Sequence, residues 1–196
     1  GVENLSLIPG LVGAAPMQNI GAYGVEIKDV FYELEALELT TCEPVTFHLN
    51  DCEFGYRESV FKNKFKDKYF IVSVSFKLTK LSNPNAPYRF KTDYGDIKNT
   101  LAEMRLYDLN LKAVSDAVCK IRNSKLPNPK ELGNAGSFFK NPSVSKEKYE
   151  ELIAKNPVMP NYPQKDGTVK IPAGWLIEQC GWKGKVVGHT GSHKSQ

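Results

Sequence analysis

The chain has 196 residues, 41% hydrophobic and 24% charged, with a formal net charge of +4; this is enough apolar material for one large domain or two small ones. No apolar run approaches the roughly 18 residues a membrane span needs, the opening GVENLSLIPG has neither the basic region nor the apolar stretch of a signal peptide, and the lysines are dispersed, the densest run (62–68, KNKFKDK) being broken by Asp67, which argues against a nucleic-acid face. The four cysteines, Cys42, Cys52, Cys119 and Cys180, contain no CxxC pair, which argues against zinc and against a disulfide scaffold and suits reduced thiols in a cytoplasmic protein.

Residues 1–24 are rich in glycine and alanine, a composition that permits tight turns and close approach of a ligand to the main chain. Asn4 and Ser6 are expected to cap a short turn leading to Pro9. Residues 29–40 read as a strand in which Val30, Tyr32, Leu34 and Ala36 alternate with more polar positions. His48 falls on a strand-like edge, facing solvent. In 69–79, Phe70, Val72, Val74, Phe76 and Leu78 are expected on one face and Ser73, Ser75, Lys77 and Thr79 on the other, with Ile71 as the exception. Residues 80–107, with NPNAP at 83–87 and TDYGD at 92–96, read as an inserted irregular loop, a kind of segment that often carries function.

The spacing of Leu111, Val114, Val118 and Ile121 predicts a helix over 111–124 with Asn110 as its N-cap. The Pro- and Gly-rich KLPNPKELGNAG that follows places a domain boundary near 123–132, giving units 1–122 and 123–196. A second helix is expected at 146–155, capped by Ser145 and with Tyr149, Leu152 and Ile153 inward. A third starts with Pro172 at its first position, runs through Trp175, Leu176 and Ile177 to Cys180, and stops at Gly181. The absence of an initial Met and the ending GHTGSHKSQ suggest a piece of a longer protein.

Three stretches carry chemistry. IPGLVGAAPMQNIGAYG (8–24) can line a pyrophosphate or a flavin ring with backbone N–H groups; it is neither a GxGxxG motif nor a P-loop, and an ordinary glycine-rich turn competes with this reading. FGYRES (54–59) presents Arg57 beside an aromatic, a planar cation suited to a carboxylate or enolate; a surface ion pair with Glu53 or Glu58 is the alternative. GNAGSFFKNP (133–142) places Ser137 before two phenylalanines, where a partly dry pocket lets a hydroxyl deliver a proton to a developing carbanion; a turn-forming serine is the alternative. His189 and His193 are four apart, but Gly191 interrupts any helix and no carboxylate adjoins them, so no metal site is expected. Trp175 and Trp182 read as packing residues, and Glu178 as part of a solvated helix face.

These stretches, together with NLSLIPGLVGAAPMQNIGAYG, FGYRESVFK, KLPNPKELGNAGSFFKNP and PNYPQKDGTVKIPAGWLIEQCG in this order, resemble the UDP-N-acetylenolpyruvoylglucosamine reductase (MurB) family along essentially the whole chain. The resemblance implies an α+β protein: the second half of a PCMH-type FAD-binding domain, followed by part of the family's C-terminal α/β substrate domain. It implies that NADPH reduces FAD and that reduced flavin passes a hydride to the enolpyruvyl group of UDP-N-acetylglucosamine enolpyruvate, giving UDP-N-acetylmuramate for peptidoglycan synthesis.

By the same resemblance, Arg57 holds the substrate carboxylate and Ser137 is the proton donor, while a further glutamate lies beyond Gln196. Ile8, Pro9, Gly10, Gly13, Ala14, Met17, Gly21 and Tyr23 line the flavin and its pyrophosphate. Tyr23, Tyr56, Tyr94 of the inserted loop, Lys125, Asn141, Tyr162, Lys170 and Gln196 contact the nucleotide substrate. The expected partners are that substrate and NADPH, without nucleic acid or membrane, for a cytoplasmic monomer. A flavin- or UDP-sugar-binding module without turnover is the alternative; retention of both Arg57 and Ser137 favours the enzyme.

Overall fold

The structure, a computed structural model, describes residues 1–82 and 88–194. The NPNAP run and the candidate Gln196 lie outside the described residues. The chain divides into two compact units, Gly1–Ser124 and Lys125–Gln196. No helix among the described residues is long and apolar enough to cross a membrane.

The first unit opens with irregular chain and short 3-10 turns at Val2–Leu5, Val12–Ala14 and Pro16–Gln18. A two-stranded hairpin follows, β1 (Gly21–Ala22) with β2 (Val25–Glu26). Its main sheet is antiparallel: β3 (Phe31–Glu38) lies between β4 (Pro44–His48) and β5 (Tyr69–Phe76). Leu34, Ala36, Phe47, Val60 and Phe61 form its core, with Ile71, Val74 and Phe76 packed against them. Phe47 meets Phe61 and Tyr69 edge-on, at centroid distances of 5.1 and 4.9 Å, the arrangement that ring quadrupoles favour.

Two β-bulges overturn the simple alternation expected for these strands. Phe31 pairs with Phe76 but Glu33 with Ser75, leaving Tyr32 as an extra residue; Glu35 pairs with Ser73 but Ala36 with Ile71, leaving Val72 extra. Each extra residue reverses the phase of the side chains. Tyr32 is therefore exposed and Phe31 is buried in its place. Phe70 and Val72 also face out, Tyr69 and Ile71 pack inward, and only beyond the bulge do Val74 and Phe76 turn to the core. Leu78 lies past the strand end and is exposed. His48 sits solvent-exposed at the end of the edge strand β4, with Nδ1 3.5 Å from Glu33.

The 80–107 region contains a helix, α1 (Ile97–Glu103). Ile97, Thr100 and Leu101 are buried at three- and four-residue spacing, a period present in the sequence but masked by the polar run before it. α1 packs on α2 (Leu111–Lys125) through Ile97, Leu101, Ala113, Ala117, Val118 and Ile121. Asn110 caps α2, its Oδ1 accepting from the Ala113 N–H at 2.9 Å. Asn4, expected in a turn cap, is instead fully buried and bridges two segments: its Nδ2 donates to the carbonyls of Tyr23 and Lys91, at 2.9 and 2.8 Å.

Cys52 is fully buried in this unit. Burial, with a smaller contribution from the Asp51 carboxylate, pushes its thiol up to about 12 from 9.0. Above pH 9 the unfolded thiol releases its proton while the folded one retains it, so the unfolded state binds fewer protons and stability falls as pH rises towards 12. Denaturant titrations at pH 8–11 should show a decline for the parent protein that is shallower in Cys52→Ala, by up to ~1.4 kcal/mol per pH unit.

The second unit holds a small antiparallel sheet of two-residue strands: β8 (Val169–Lys170) between β6 (Ser143–Val144) and β7 (Tyr162–Pro163). α3 (Lys146–Lys155) is capped by Ser145, whose Oγ accepts from the Lys148 N–H at 3.2 Å. Tyr149, Leu152 and Ile153 are half-buried. α4 (Ala173–Gln179) has Pro172 as its N-cap rather than its first residue, and ends where Gly181 adopts φ +68°. A hairpin of β9 (Val186–Val187) and β10 (Thr190–Gly191) follows. Met159, Val169, Ile171 and Ala173 are the unit's buried apolar residues.

Candidate functional site

In the first unit, the glycine-rich stretch presents open backbone. Gly10 has φ +111°, a conformation costly for any side chain, and a Cβ there would meet nothing within 4 Å. Pro9, Gly10, Ala14 and Met17 are exposed, and Ile8 and Gly13 half-buried. Leu11 and Val12 between them are 84% and 59% exposed. Gly21, by contrast, is buried. A Cβ on it would lie 2.8 Å from Glu26 Cγ, 2.8 Å from the Val25 carbonyl and 2.9 Å from Arg57 Nη1. Gly21→Ala must therefore separate β1 from β2 or eject the guanidinium, and a loss of about 1–3 kcal/mol is expected in denaturant titration, as for other overpacked sites.

Arg57 sits in a tight turn closed by Gly55 and Glu58, whose N–H groups donate to each other's carbonyls at 3.0 and 3.3 Å. Its φ is +54°, in the left-handed region; a non-glycine residue held there is strained and persists only where its surroundings enforce it. Lys62 Nζ donates to the Arg57 carbonyl at 2.9 Å. The guanidinium donates through Nη2 to the Gly21 carbonyl, places Nη1 3.7 Å from Glu26 Oε1, and lies 5.2 Å from the centroid of the Tyr56 ring. Its ion-pair partner is thus Glu26 of β2, whereas Glu53 pairs with Lys64 at 3.6 Å. Three contacts fix the plane of the cation and leave it partly accessible.

Around this group the fold gathers other candidates. Tyr23 follows β1 with φ +49°. Burial raises its phenol above the usual value, and the hydrogen-bonded Arg122 guanidinium opposes the rise. Tyr94 is exposed but lies on Gly24, where a Cβ would come 3.3 Å from Tyr94 Cβ; Gly95 in turn faces the Tyr23 ring. Tyr23, Tyr56, Tyr94 and Arg57 are therefore brought to one region by the β1–β2 hairpin, the Arg57 turn and the segment before α1. Asn19, Glu26 and Arg122 belong to it and escaped the motif reading, because nothing in their local sequence distinguishes them from ordinary polar residues.

In the second unit, residues 131–140 are exposed throughout, so Ser137 does not occupy the partly dry pocket expected for it. Phe138 and Phe139 meet edge-on at 5.1 Å yet remain 81% and 61% exposed. The Asn134 side chain shapes the turn before Ser137: its Oδ1 accepts from the Gly136 N–H at 3.2 Å, and its Nδ2 donates to Leu132 at 3.0 Å.

Asn141 is used structurally, its Oδ1 accepting from the Ala173 N–H at 2.9 Å and so capping α4. Tyr162 of β7 and Lys170 of β8 are direct cross-strand partners. Lys125, the last residue of α2, is exposed. No cluster of three or more His, Cys, Asp or Glu residues suited to a metal ion occurs among the described residues.

Comparison with known proteins adds the family context. Residues 128–196 match the family model for the C-terminal domain of UDP-N-acetylenolpyruvoylglucosamine reductase. Reductases of that name from Flavobacterium johnsoniae and Pseudomonas putida are each 53% identical over 196 residues, the whole of this chain and 57% and 56% of those proteins. One from Neisseria meningitidis is 54% identical over 197 residues, 55% of its length. The chain thus spans little more than half the length of these relatives. The crystal structure of the Thermus caldophilus reductase superposes with a TM-score of 0.55 at 23% identity, covering 96% of this chain and 48% of that one, which establishes a shared fold.

Proposed function

We infer that this chain belongs to the UDP-N-acetylenolpyruvoylglucosamine reductase (MurB) family, and we propose that the protein reduces UDP-N-acetylglucosamine enolpyruvate to UDP-N-acetylmuramate with FAD as cofactor and NADPH as reductant. It would act in the cytoplasm as a monomer, supplying peptidoglycan synthesis. The first unit is read as part of a PCMH-type FAD-binding domain and the second as part of the substrate domain. The observation that carries the reading is the Arg57 guanidinium, held by the Gly21 carbonyl and Glu26 beside the glycine-rich stretch.

The residues present suit a flavin. A Cβ at Gly10 would meet nothing within 4 Å, one at Gly13 would meet the Ile71 carbonyl at 3.7 Å, and Leu11 and Val12 expose apolar surface beside them. Ile8, Pro9, Gly10, Gly13, Ala14, Met17, Gly21 and Tyr23 would hold the cofactor. FAD, when bound, supplies the electron pair drawn from NADPH.

The chain's own residues then manage the charge and the proton. Reduction at the enolpyruvyl methylene carbon places negative charge on the adjacent carbon and its carboxylate. A planar cation with its orientation already set stabilises that charge without reorganising. Arg57 serves here, and its fork matches a carboxylate in a way an ammonium cannot. Ser137 delivers the proton to the adjacent carbon. Tyr23, Tyr56 and Tyr94 are the proposed substrate contacts of the first unit, and Lys125, Asn141, Tyr162, Lys170 and Gln196 are the proposed contacts to the UDP portion.

The test uses the full-length protein. It should purify yellow, bleach on addition of NADPH without substrate, and regain colour when UDP-N-acetylglucosamine enolpyruvate is added. A correctly folded, colourless protein, or one that bleaches but is not recoloured by that substrate, contradicts the proposal.

A further inference from the structure

Asn19 has no exposed surface, and every polar atom of its side chain is used. Oδ1 accepts from the Lys28 N–H at 3.1 Å. Nδ2 donates to the Gly55 carbonyl at 2.9 Å and to Glu26 Oε2 at 3.1 Å. These two acceptors both lead to Arg57. Gly55 closes the turn that holds Arg57 in its left-handed conformation. Glu26 is the carboxylate facing the guanidinium, with its other oxygen, Oε1, 3.7 Å from Nη1. Lys28 Nζ, 3.1 Å from Oε2, and the Asp29 N–H also hold that carboxylate. Asn19 itself has φ +43°, the left-handed region that asparagine tolerates better than most residues.

We propose that Asn19 is a positioning residue for Arg57: one buried amide ties the backbone turn that carries the guanidinium to the carboxylate that orients it. It touches neither substrate nor cofactor. Without it, the Glu26 carboxylate keeps the Lys28 ammonium and the Asp29 N–H, both on its own side of the site, and nothing ties it to the Arg57 turn, whose Gly55 carbonyl loses a donor. The Arg57 backbone and counter-charge then shift independently. A guanidinium that must meet a developing enolate is sensitive to such a shift, since misplacement on the ångström scale lowers rates strongly. The flavin is held by Ile8, Pro9, Gly10, Gly13, Ala14, Met17, Gly21 and Tyr23 and not by Asn19, so its reduction by NADPH need not change.

This inference rests on the reductase reading. The experiment uses the full-length enzyme and stopped-flow flavin absorbance, following bleaching by NADPH and recolouring by UDP-N-acetylglucosamine enolpyruvate separately. Asn19→Ser and Glu26→Gln are each expected to slow recolouring by about tenfold or more while leaving bleaching within about twofold of the parent. In an Arg57→Ala background neither should slow recolouring further, because the group they position is gone.

Equal slowing of both half-reactions, or an undiminished effect in the Arg57→Ala background, overturns the inference while leaving the reductase reading intact. A parent enzyme not recoloured by the substrate overturns both. If Asn19→Ser does not fold, Glu26→Gln decides, since it leaves the buried amide in place and removes only the carboxylate charge.

Discussion

Ser137→Ala in the full-length protein should leave flavin bleaching by NADPH close to that of the parent and slow recolouring by substrate by about 10²–10⁴-fold, the range for loss of a positioned proton donor. The asymmetry follows from where the proton is needed. Flavin reduction requires no proton at the substrate carbon, whereas reduction of the enolpyruvyl group ends with one delivered there. The structural cost of the substitution should be slight. Ser137 lies in a segment exposed from 131 to 140, and Asn134, not Ser137, shapes the preceding turn. An unchanged thermal midpoint beside a collapsed recolouring rate would therefore be a chemical effect. Equal slowing of both half-reactions would remove Ser137 from the role of donor.

Arg57→Lys should behave as a severe change despite conserving charge. The guanidinium makes three oriented contacts at once: the Gly21 carbonyl, Glu26 Oε1 and the Tyr56 ring. A lysine ammonium is a single point charge on a flexible stem and cannot keep the Gly21 carbonyl and Glu26 while offering an in-plane N–H fork to a carboxylate. A fall of about 10²–10³ in the rate of substrate reduction is expected, comparable to removal of one preorganised stabilising donor. The backbone at 57 is in the left-handed region for either residue, so that strain does not change. Stability should fall much less than activity, and a steady-state assay paired with thermal denaturation checks this. Near-parental turnover in Arg57→Lys would show that charge alone suffices.

The helices were the most legible part of the sequence. α2 and α3 carry side-chain caps at Asn110 and Ser145, and both caps form as the residue types suggest. The sheet was legible only in outline. Strands β3 and β5 lie where their apolar residues indicate, but the bulges at Tyr32 and Val72 reverse the inward face, and no local property of either residue announces an extra position. α1 was hidden because the three- and four-residue spacing of Ile97, Thr100 and Leu101 follows a polar loop. The two-residue strands of both units carry no periodic signal at all.

The candidate site shows the same division. The motifs point to Gly21, Tyr23, Arg57 and Tyr94, and the first unit brings these together. The residues that hold them do not stand out, because their function depends on partners distant in sequence: Asn19 on Gly55, and Asn4 on Lys91. Ser137 was expected in a dry setting from the two phenylalanines after it. Those rings face solvent here, since a pair of adjacent aromatics shields a hydroxyl only when other elements pack over them.

The most direct measurement is a crystal structure of the full-length protein with FAD and bound UDP-N-acetylglucosamine enolpyruvate. The Arg57 guanidinium should lie within hydrogen-bond reach, about 2.6–3.2 Å, of the substrate carboxylate, with the Ser137 hydroxyl directed at the adjacent carbon opposite the flavin ring. A complex that leaves either group remote from the enolpyruvyl moiety would contradict the assignment of both roles.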